Sequence, residues 1–283
     1  MNTEKKTPMT VLSLCGTALY DLFFPPLCVC CGKALPRRVP RPWLCPACKD
    51  LLYRERNRLC PGCFRPYKDC LCRPKHFEGD VLYYALPYDR YGGPVSRSMV
   101  LNAKYRRQRE ILDFLGDEML AVLSEREPTG EPFLLTYVPR SPKREMKSDL
   151  DPAEELAKTI GDRLGIPVMT LLAHHAYRRA QKTLSGEARA EASKKRYYLV
   201  EEARSLLPGR TVLLIDDVIT TGATVSACTA VLKAGGAKRV VCLATAKDYR
   251  RSGEYLKEES YPHDYEIPEA RKGEEDYGKT NRY

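Results

Sequence analysis

The chain has 283 residues, with 47 Lys/Arg against 37 Asp/Glu, for a formal net charge of +10. That length supports one or two domains with a sizeable core, and no stretch approaches the ~18–20 apolar residues of a membrane span. Twelve cysteines, ten of them before residue 73, leave a secreted disulfide scaffold or a metal-binding protein of a reducing compartment.

Lys5 and Lys6 precede a weakly apolar segment over residues 9–22 that carries Thr10, Ser13, Gly16 and Thr17. No small-residue cleavage site separates it from the cysteines, so it reads as an amphipathic helix over residues 9–23, not as a signal peptide. Pro25-Pro26 ends it. The reducing compartment, and with it a cytoplasmic location, is the expectation. Cys15 stands alone on this helix and reads as a small apolar packing residue.

Residues 25–75 hold no long apolar period and would bury little surface, so a metal is expected to hold them together. Cys28-x-x-Cys31-Gly32 is followed by Cys45-Pro46-Ala47-Cys48, then Cys60-Pro61-Gly62-Cys63 by Cys70-Leu71-Cys72. Each Cys-x-x-Cys turn brings two thiolates to one tetrahedral ion, and two turns complete a closed structural zinc site. Consecutive pairing gives Cys28, Cys31, Cys45 and Cys48 for one Zn²⁺ and Cys60, Cys63, Cys70 and Cys72 for a second. Interleaved pairing and an iron–sulfur cluster are the alternatives. Cys30 is left over, or replaces Cys28 or Cys31.

The module is basic, with twelve Lys/Arg against four Asp/Glu over residues 21–75. Arg54, Arg56, Arg58, Arg65 and Lys68 alternate with Tyr53, Phe64 and Tyr67. Such a surface is either an ordinary solvated face or a site for single-stranded nucleic acid, held by phosphate contacts and base stacking.

Residues 81–86 predict a strand, a helix runs to about Ala103, and residues 111–126 predict a second helix from apolar Ile111, Leu112, Leu115, Met119 and Val122. A strand over 134–138 leads into the basic loop Pro139-Arg140-Ser141-Pro142-Lys143-Arg144, which suits an anion or a plain surface. Asp151, Pro152 and Glu154 form a capping box and Gly165 a helix stop. A short strand is expected over 168–172. His174-His175 then opens a basic segment through Arg196, in which Arg178, Arg179, Lys182 and Arg189 suit a mobile loop over an anionic ligand or a solvated helix face.

The most informative stretch is Val212-Leu213-Leu214-Ile215-Asp216-Asp217-Val218-Ile219-Thr220-Thr221-Gly222-Ala223-Thr224. Four apolar residues make a buried strand with two carboxylates at its end. A small hydroxyl-rich loop follows, then a helix over 225–234 that stops at Gly235-Gly236. The order strand–loop–helix places free backbone N–H groups at a helix N-terminus, where a phosphate binds. Small residues let the backbone approach the anion. Asp216 and Asp217 can accept hydrogen bonds from neutral hydroxyls such as those of a ribose. Arg239 begins another strand, to Ala244, and residues 248–283 are too polar to bury a core and are expected to be a disordered tail.

Elements after residue 80 alternate as a parallel α/β sheet requires, with a ligand at the carboxyl ends of the strands. The stretch from Asp216 to Thr224 resembles the phosphoribosyl pyrophosphate (PRPP) signature of type I phosphoribosyltransferases. The chain over about residues 10–247 resembles the ComF (ComFC) family of competence-associated proteins. Besides the Cys pairs and the acid-pair loop, the resemblance rests on Phe24-Pro25-Pro26, Lys104-Tyr105, Leu115-Gly116, Val138-Pro139 and Gln181-x-x-Leu184-Ser185 with Arg189. It implies a phosphoribosyltransferase-like parallel sheet flanked by helices over 80–247, preceded by a small four-cysteine, zinc-ribbon-type module over 25–75. It also implies PRPP bound with Mg²⁺ by Asp216, Asp217, Thr220, Thr221, Gly222, Ala223 and Thr224, with Arg140, Lys143 and Lys104 on its anionic groups. By the same resemblance the partners are single-stranded DNA and a competence helicase. Two other readings are an active transferase with an unknown acceptor and a zinc-stabilised scaffold for a helicase. The chain departs from the family where Ser148-Asp149-Leu150-Asp151-Pro152 stands in place of the usual Arg-Gly-Phe-Asn-Gln, and where Ala192 lies near a common Asn. Both departures fall in loops that frame the ligand and bear on turnover.

Overall fold

The computed structural model describes residues 25–36, 42–60, 63–74, 76–88, 94–105, 109–127, 133–140, 151–175 and 196–248. The expected helix over 9–23, Lys143, residues 176–195 and the tail past Asp248 lie outside them, as does the side chain of Lys104.

Four strands form one parallel sheet: β1 (Val81–Tyr88), β2 (Phe133–Tyr137), β5 (Thr211–Ile219) and β6 (Arg239–Asp248), in the order β1-β6-β5-β2. Side-chain alternation along the strands divides the core in two. Leu213, Ile215, Val241 and Leu243 face one side, against α2 (Pro94–Tyr105), α3 (Arg109–Arg126) and α4 (Pro152–Leu164). Val212, Leu214, Val240 and Cys242 face the other, against α5 (Ala223–Ala234) and the 3-10 turn Glu201–Ser205.

Several elements differ from the sequence expectation. Residues 46–57 form helix α1 (Pro46–Asn57), although that region lacks an apolar period. Its buried positions, Cys48, Leu52 and Glu55, follow helical spacing, but two of the three are not aliphatic, so a hydropathy pattern misses them. Its N-cap is a sulfur, since Cys45 Sγ accepts from the Cys48 amide at 3.5 Å. The segment 168–172 is not one strand. Val168 makes a single parallel bridge to Leu135, and β3 (Leu172–His174) turns away to pair antiparallel with β4 (Tyr197–Leu199). β5 continues through both aspartates, and β6 runs past Ala244 to Asp248, with Ala246 and Lys247 paired to both β1 and β5. The capping reading of α4 holds at Asp151, which accepts from the Ala153 amide at 3.0 Å, and at left-handed Gly165, whereas Glu154 lies 3.0 Å from Lys158 Nζ.

The cysteine-rich module straddles the β1 edge of the sheet. Val29 and Leu52 join the core of the first face, while Cys60, Tyr67, Cys70 and Phe77 join that of the second. The buried carboxylate of Glu55 docks α1 on α2: it accepts from the Val95 amide (2.8 Å), the Ser96 amide (3.0 Å) and the Ser96 hydroxyl (2.5 Å). Those first-turn amides have no acceptor within their own helix, so the module supplies the cap.

Candidate functional site

Two features carry chemistry: the strand–loop–helix at β5 and α5, and the two cysteine groups. At the first, Asp216 is buried and Asp217 half-buried at the carboxyl end of β5. Their carboxylates organise the strand end, as Asp216 Oδ1 accepts from the Asp217 amide (2.8 Å) and Asp217 Oδ1 from that of Val218 (2.6 Å). The loop then turns at Gly222, φ 81°, into α5. Thr220, Thr221 and Ala223 are half-buried and Thr224 is exposed. The free first-turn amides of α5 and the threonine hydroxyls thus meet at one mouth.

Gly222 is required twice over. Its backbone is left-handed, and a Cβ there would lie 2.9 Å from Phe77 Cβ and 3.0 Å from the Phe77 nitrogen.

Arg140 follows β2, the neighbour of β5, and its charge is felt by Asp151. Asp151 lies at the tip of α4. Burial raises its carboxyl above the usual range, and of the charges it feels Arg140 lowers it while Asp217 raises it. Tyr197 of β4 lies beside Thr224 of the loop. Its hydroxyl is pushed up first by burial, then by the neighbouring Cys228 and Asp216. Asp151 and Tyr197 were not among the candidate ligands read from the sequence. Asp151 reads in sequence as a helix cap within a loop expected to frame the ligand, and Tyr197 follows a polar run with no local signal.

The eight cysteines group as Cys28, Cys31, Cys45, Cys48 and as Cys60, Cys63, Cys70, Cys72, the sulfurs of each group lying within 4.8 Å of one another. Cys30 is in neither group, and its carbonyl accepts from Ser98 Oγ at 3.1 Å. Four thiols converging without other donors fit a closed, structural metal site. The Cys28 thiol is drawn down to about 4, first by the Cys48 thiol and then by the Cys31, Cys45 and Cys30 amides, against the opposing effect of burial. A thiolate is the form a metal binds. In the first group Gly32 takes the left-handed position after Cys31, φ 72°, and in the second Phe64 takes it after Cys63, φ 56°, with its ring exposed.

The second group is fastened to the sheet. Tyr84 Oη of β1 donates to the Cys70 carbonyl at 2.8 Å, and buried Lys247 of β6 donates to the Cys72 carbonyl. Lys247 also lies over the Tyr84 ring, 5.3 Å from its centroid. A strand expected to end at Ala244 left this lysine outside the core.

Part of the basic run is internally paired. Arg54 lies 2.9 Å from Asp50, and Arg56 pairs with Glu118 of α3. Tyr53 and Phe64 are 66% and 76% exposed, enough to offer ring faces.

The phosphoribosyl transferase domain family model matches residues 151–276. No curated protein matches the sequence. Among solved structures, glutamine PRPP amidotransferase from B. subtilis, complexed with ADP and GMP, is 21% identical over 50% of this chain and 30% of that one, with a TM-score of 0.35. A hypoxanthine phosphoribosyltransferase from Staphylococcus aureus is 16% identical over 52% and 69%, with a TM-score of 0.30. An adenine phosphoribosyltransferase from Thermoanaerobacter pseudethanolicus is 14% identical over 50% and 82%, with a TM-score of 0.32. The chain therefore spans less than a third of the amidotransferase's length. The fold is phosphoribosyltransferase-like, a parallel sheet flanked by helices, and the cysteine groups precede it as potential metal sites. Among the described residues no helix is long and apolar enough to cross a membrane.

Proposed function

We propose that the chain is a ComF-like protein of natural competence that binds PRPP with Mg²⁺ and handles single-stranded DNA during uptake. The observation that carries the ligand is the run from Asp216 to Thr224, with its acid pair, hydroxyl-rich turn and helix N-terminus on one strand end. In this reading residues 220–224 hold the 5′-phosphate through backbone N–H and threonine hydroxyl groups, and Asp216 and Asp217 accept from the ribose hydroxyls. Arg140 and Lys143 hold the pyrophosphate, with Lys104 at its rim. Charge-assisted hydrogen bonds of this kind contribute about 1.5–3 kcal/mol each. The ions in the cysteine groups are zinc, one for each set of four. The domains divide as a helix over 1–24, the zinc module over 25–75, the phosphoribosyltransferase-like domain over 80–247 and a tail over 248–283. Cysteines grouped as metal ligands, not joined as disulfides, support a cytoplasmic location.

DNA binding rests on the ComF resemblance and on the exposed rings of Tyr53 and Phe64 in a basic module. A DNA helicase of the uptake machinery is the protein partner the resemblance implies. The test is a calorimetric titration with PRPP and Mg²⁺ of the wild-type protein and of Asp216→Asn/Asp217→Asn, each with and without a fluorescent oligonucleotide. Saturable PRPP binding that the double variant loses, and oligonucleotide binding that weakens steeply with salt, are the expected results. Equal PRPP affinity in both proteins would overturn the ligand assignment, and no oligonucleotide affinity at low salt would overturn the DNA reading.

The match to the phosphoribosyl transferase domain favours a second reading. An acceptor nucleophile would displace pyrophosphate from the ribose anomeric carbon, and Arg140 and Lys143 would stabilise the leaving group. Pyrophosphate release in the presence of PRPP and a panel of bases checks it; no release with any acceptor rules it out.

A further inference from the structure

The segment that leaves the second cysteine group does not simply lead to β1. Four residues past Cys72, the His76 amide donates to the Thr221 carbonyl at 3.0 Å. The Ser226 hydroxyl, on the first turn of α5, lies 2.7 Å from the His76 carbonyl and 2.8 Å from the Gly222 carbonyl, and it is 2.8 Å from the Glu78 amide that donates to it. Phe77 is buried between them, and its backbone and Cβ occupy the space a side chain at Gly222 would need.

These contacts fix the direction of two peptide planes. In a planar trans peptide the C=O and the following N–H point in opposite directions. Holding the Thr221 carbonyl on His76 therefore turns the Gly222 N–H away from the module. Holding the Gly222 carbonyl on Ser226, whose amide also donates to it at 3.0 Å, turns the Ala223 N–H outward in the same way. Both are amides that the mouth offers to an anion.

The segment is itself tied to the metal group. Tyr84 and Lys247 grip the carbonyls of Cys70 and Cys72, and the Arg73 guanidinium donates to the Asp80 carbonyl at 3.2 Å and lies 5.7 Å from the Phe77 ring centroid. The path from Cys72 to Thr221 contains no long spacer.

We infer that the second cysteine group, when metal-loaded, sets the peptide orientation of the anion loop through His76, Phe77 and Ser226. Metal at Cys60, Cys63, Cys70 and Cys72 and phosphosugar at residues 220–224 then strengthen each other's binding. This rests on the phosphosugar reading of the loop. Beside the first group, the Cys30 and Val29 carbonyls accept from Ser98 and Asn102 of α2, on the face of the sheet opposite α5. Binding linkage is reciprocal, which gives a readout independent of any turnover.

The experiment uses the full chain loaded with zinc. Release of zinc to a chromogenic chelator is followed with and without saturating PRPP and Mg²⁺, and PRPP affinity is measured in parallel by calorimetry. PRPP is expected to slow release of one of the two zinc ions, with a coupling of about fivefold or more in affinity. Ser226→Ala, which removes the hydroxyl bridge and leaves the His76–Thr221 and Ser226–Gly222 backbone bonds, is expected to retain zinc, bind PRPP more weakly and show a smaller coupling. PRPP binding with unchanged zinc release would overturn the linkage alone. No PRPP binding by the wild-type protein would overturn the phosphosugar reading and the linkage with it. A Ser226→Ala protein that couples as the wild type does would exclude the bridge as the route.

Discussion

Replacing Glu55 tests how the cysteine-rich module is joined to the sheet. Its carboxylate is 4% exposed and receives three hydrogen bonds from the start of α2. Glu55→Ala leaves two buried amides and one hydroxyl without that acceptor. Loss of a side-chain cap costs about 0.5–2 kcal/mol, and each buried donor left unpaired about 1–3 kcal/mol. Because the Ser96 hydroxyl can rotate to another acceptor, about 2–4 kcal/mol is expected in all. That loss corresponds to about 2–4 °C of melting temperature per kcal/mol for a chain of this size. Glu55→Gln keeps the shape and one acceptor oxygen and should lose about half as much. The pH dependence separates the carboxylate from mere packing. Burial raises the Glu55 carboxyl, with the Ser96 hydroxyl and the Val95 and Ser96 amides opposing. A carboxyl raised in the fold contributes stability that is complete below its unfolded range and is lost as pH rises through the folded value. The assay is urea unfolding of the zinc-loaded wild type, Glu55→Gln and Glu55→Ala from pH 4 to pH 8. The wild type should lose stability relative to Glu55→Gln as pH rises. Glu55→Ala unfolding within about 0.5 kcal/mol of the wild type would refute the capping role.

Two further outcomes follow from the geometry. Glu127 takes both guanidinium nitrogens of Arg239 at 2.7 Å and the Tyr83 hydroxyl at 2.8 Å, and Arg239 first of all lowers its carboxyl. With Arg239 36% exposed, solvent screening brings the pair to about 1 kcal/mol. Glu127→Gln should lose that amount near neutral pH and remove a stability term that the wild type loses as pH falls through the lowered value, as read by thermal melts. Gly222→Ala combines a left-handed backbone with a Cβ 2.9 Å from Phe77. It should cost about 1–3 kcal/mol and weaken PRPP binding in calorimetry, whereas an unchanged melting curve would mean that Phe77 yields freely.

The parallel sheet was legible because its two central strands are apolar on both faces, Val212 to Ile215 and Val240 to Leu243 being fully buried. The acid pair and loop were legible because they are contiguous. The cysteine groups were legible in composition, although spacing alone left their pairing open. What stayed hidden depends on residues that look ordinary in sequence. Glu55 sits between two arginines and reads as solvated, yet its helical phase with Cys48 and Leu52 turns it inward. Lys247 carries a charge in a strand, and its burial is made tolerable by partners distant in the chain, among them the carbonyl of Cys72 and the ring of Tyr84. The antiparallel turn of β3 onto β4 follows from pairing across residues 176–195, which no local propensity encodes.

The strand order also constrains when the molecule can assemble. Among the described residues β1 has a single neighbour in the sheet, β6, and the hydrogen bond from the Val240 amide to Asp80 spans 160 residues. As the ribosome delivers the chain, β1 emerges early and has no strand to pair with until almost all of the described chain is made. Closing so long a loop is slow, and an unpaired apolar strand invites aggregation meanwhile. The cysteine-rich module is complete before β1 appears. On the metal-bound reading proposed above, uptake at this stage lets Tyr84 dock on Cys70 and Phe77 pack nearby, which covers one side of the strand during the wait. Metal supply during synthesis would then govern the yield of folded protein as well as its final stability.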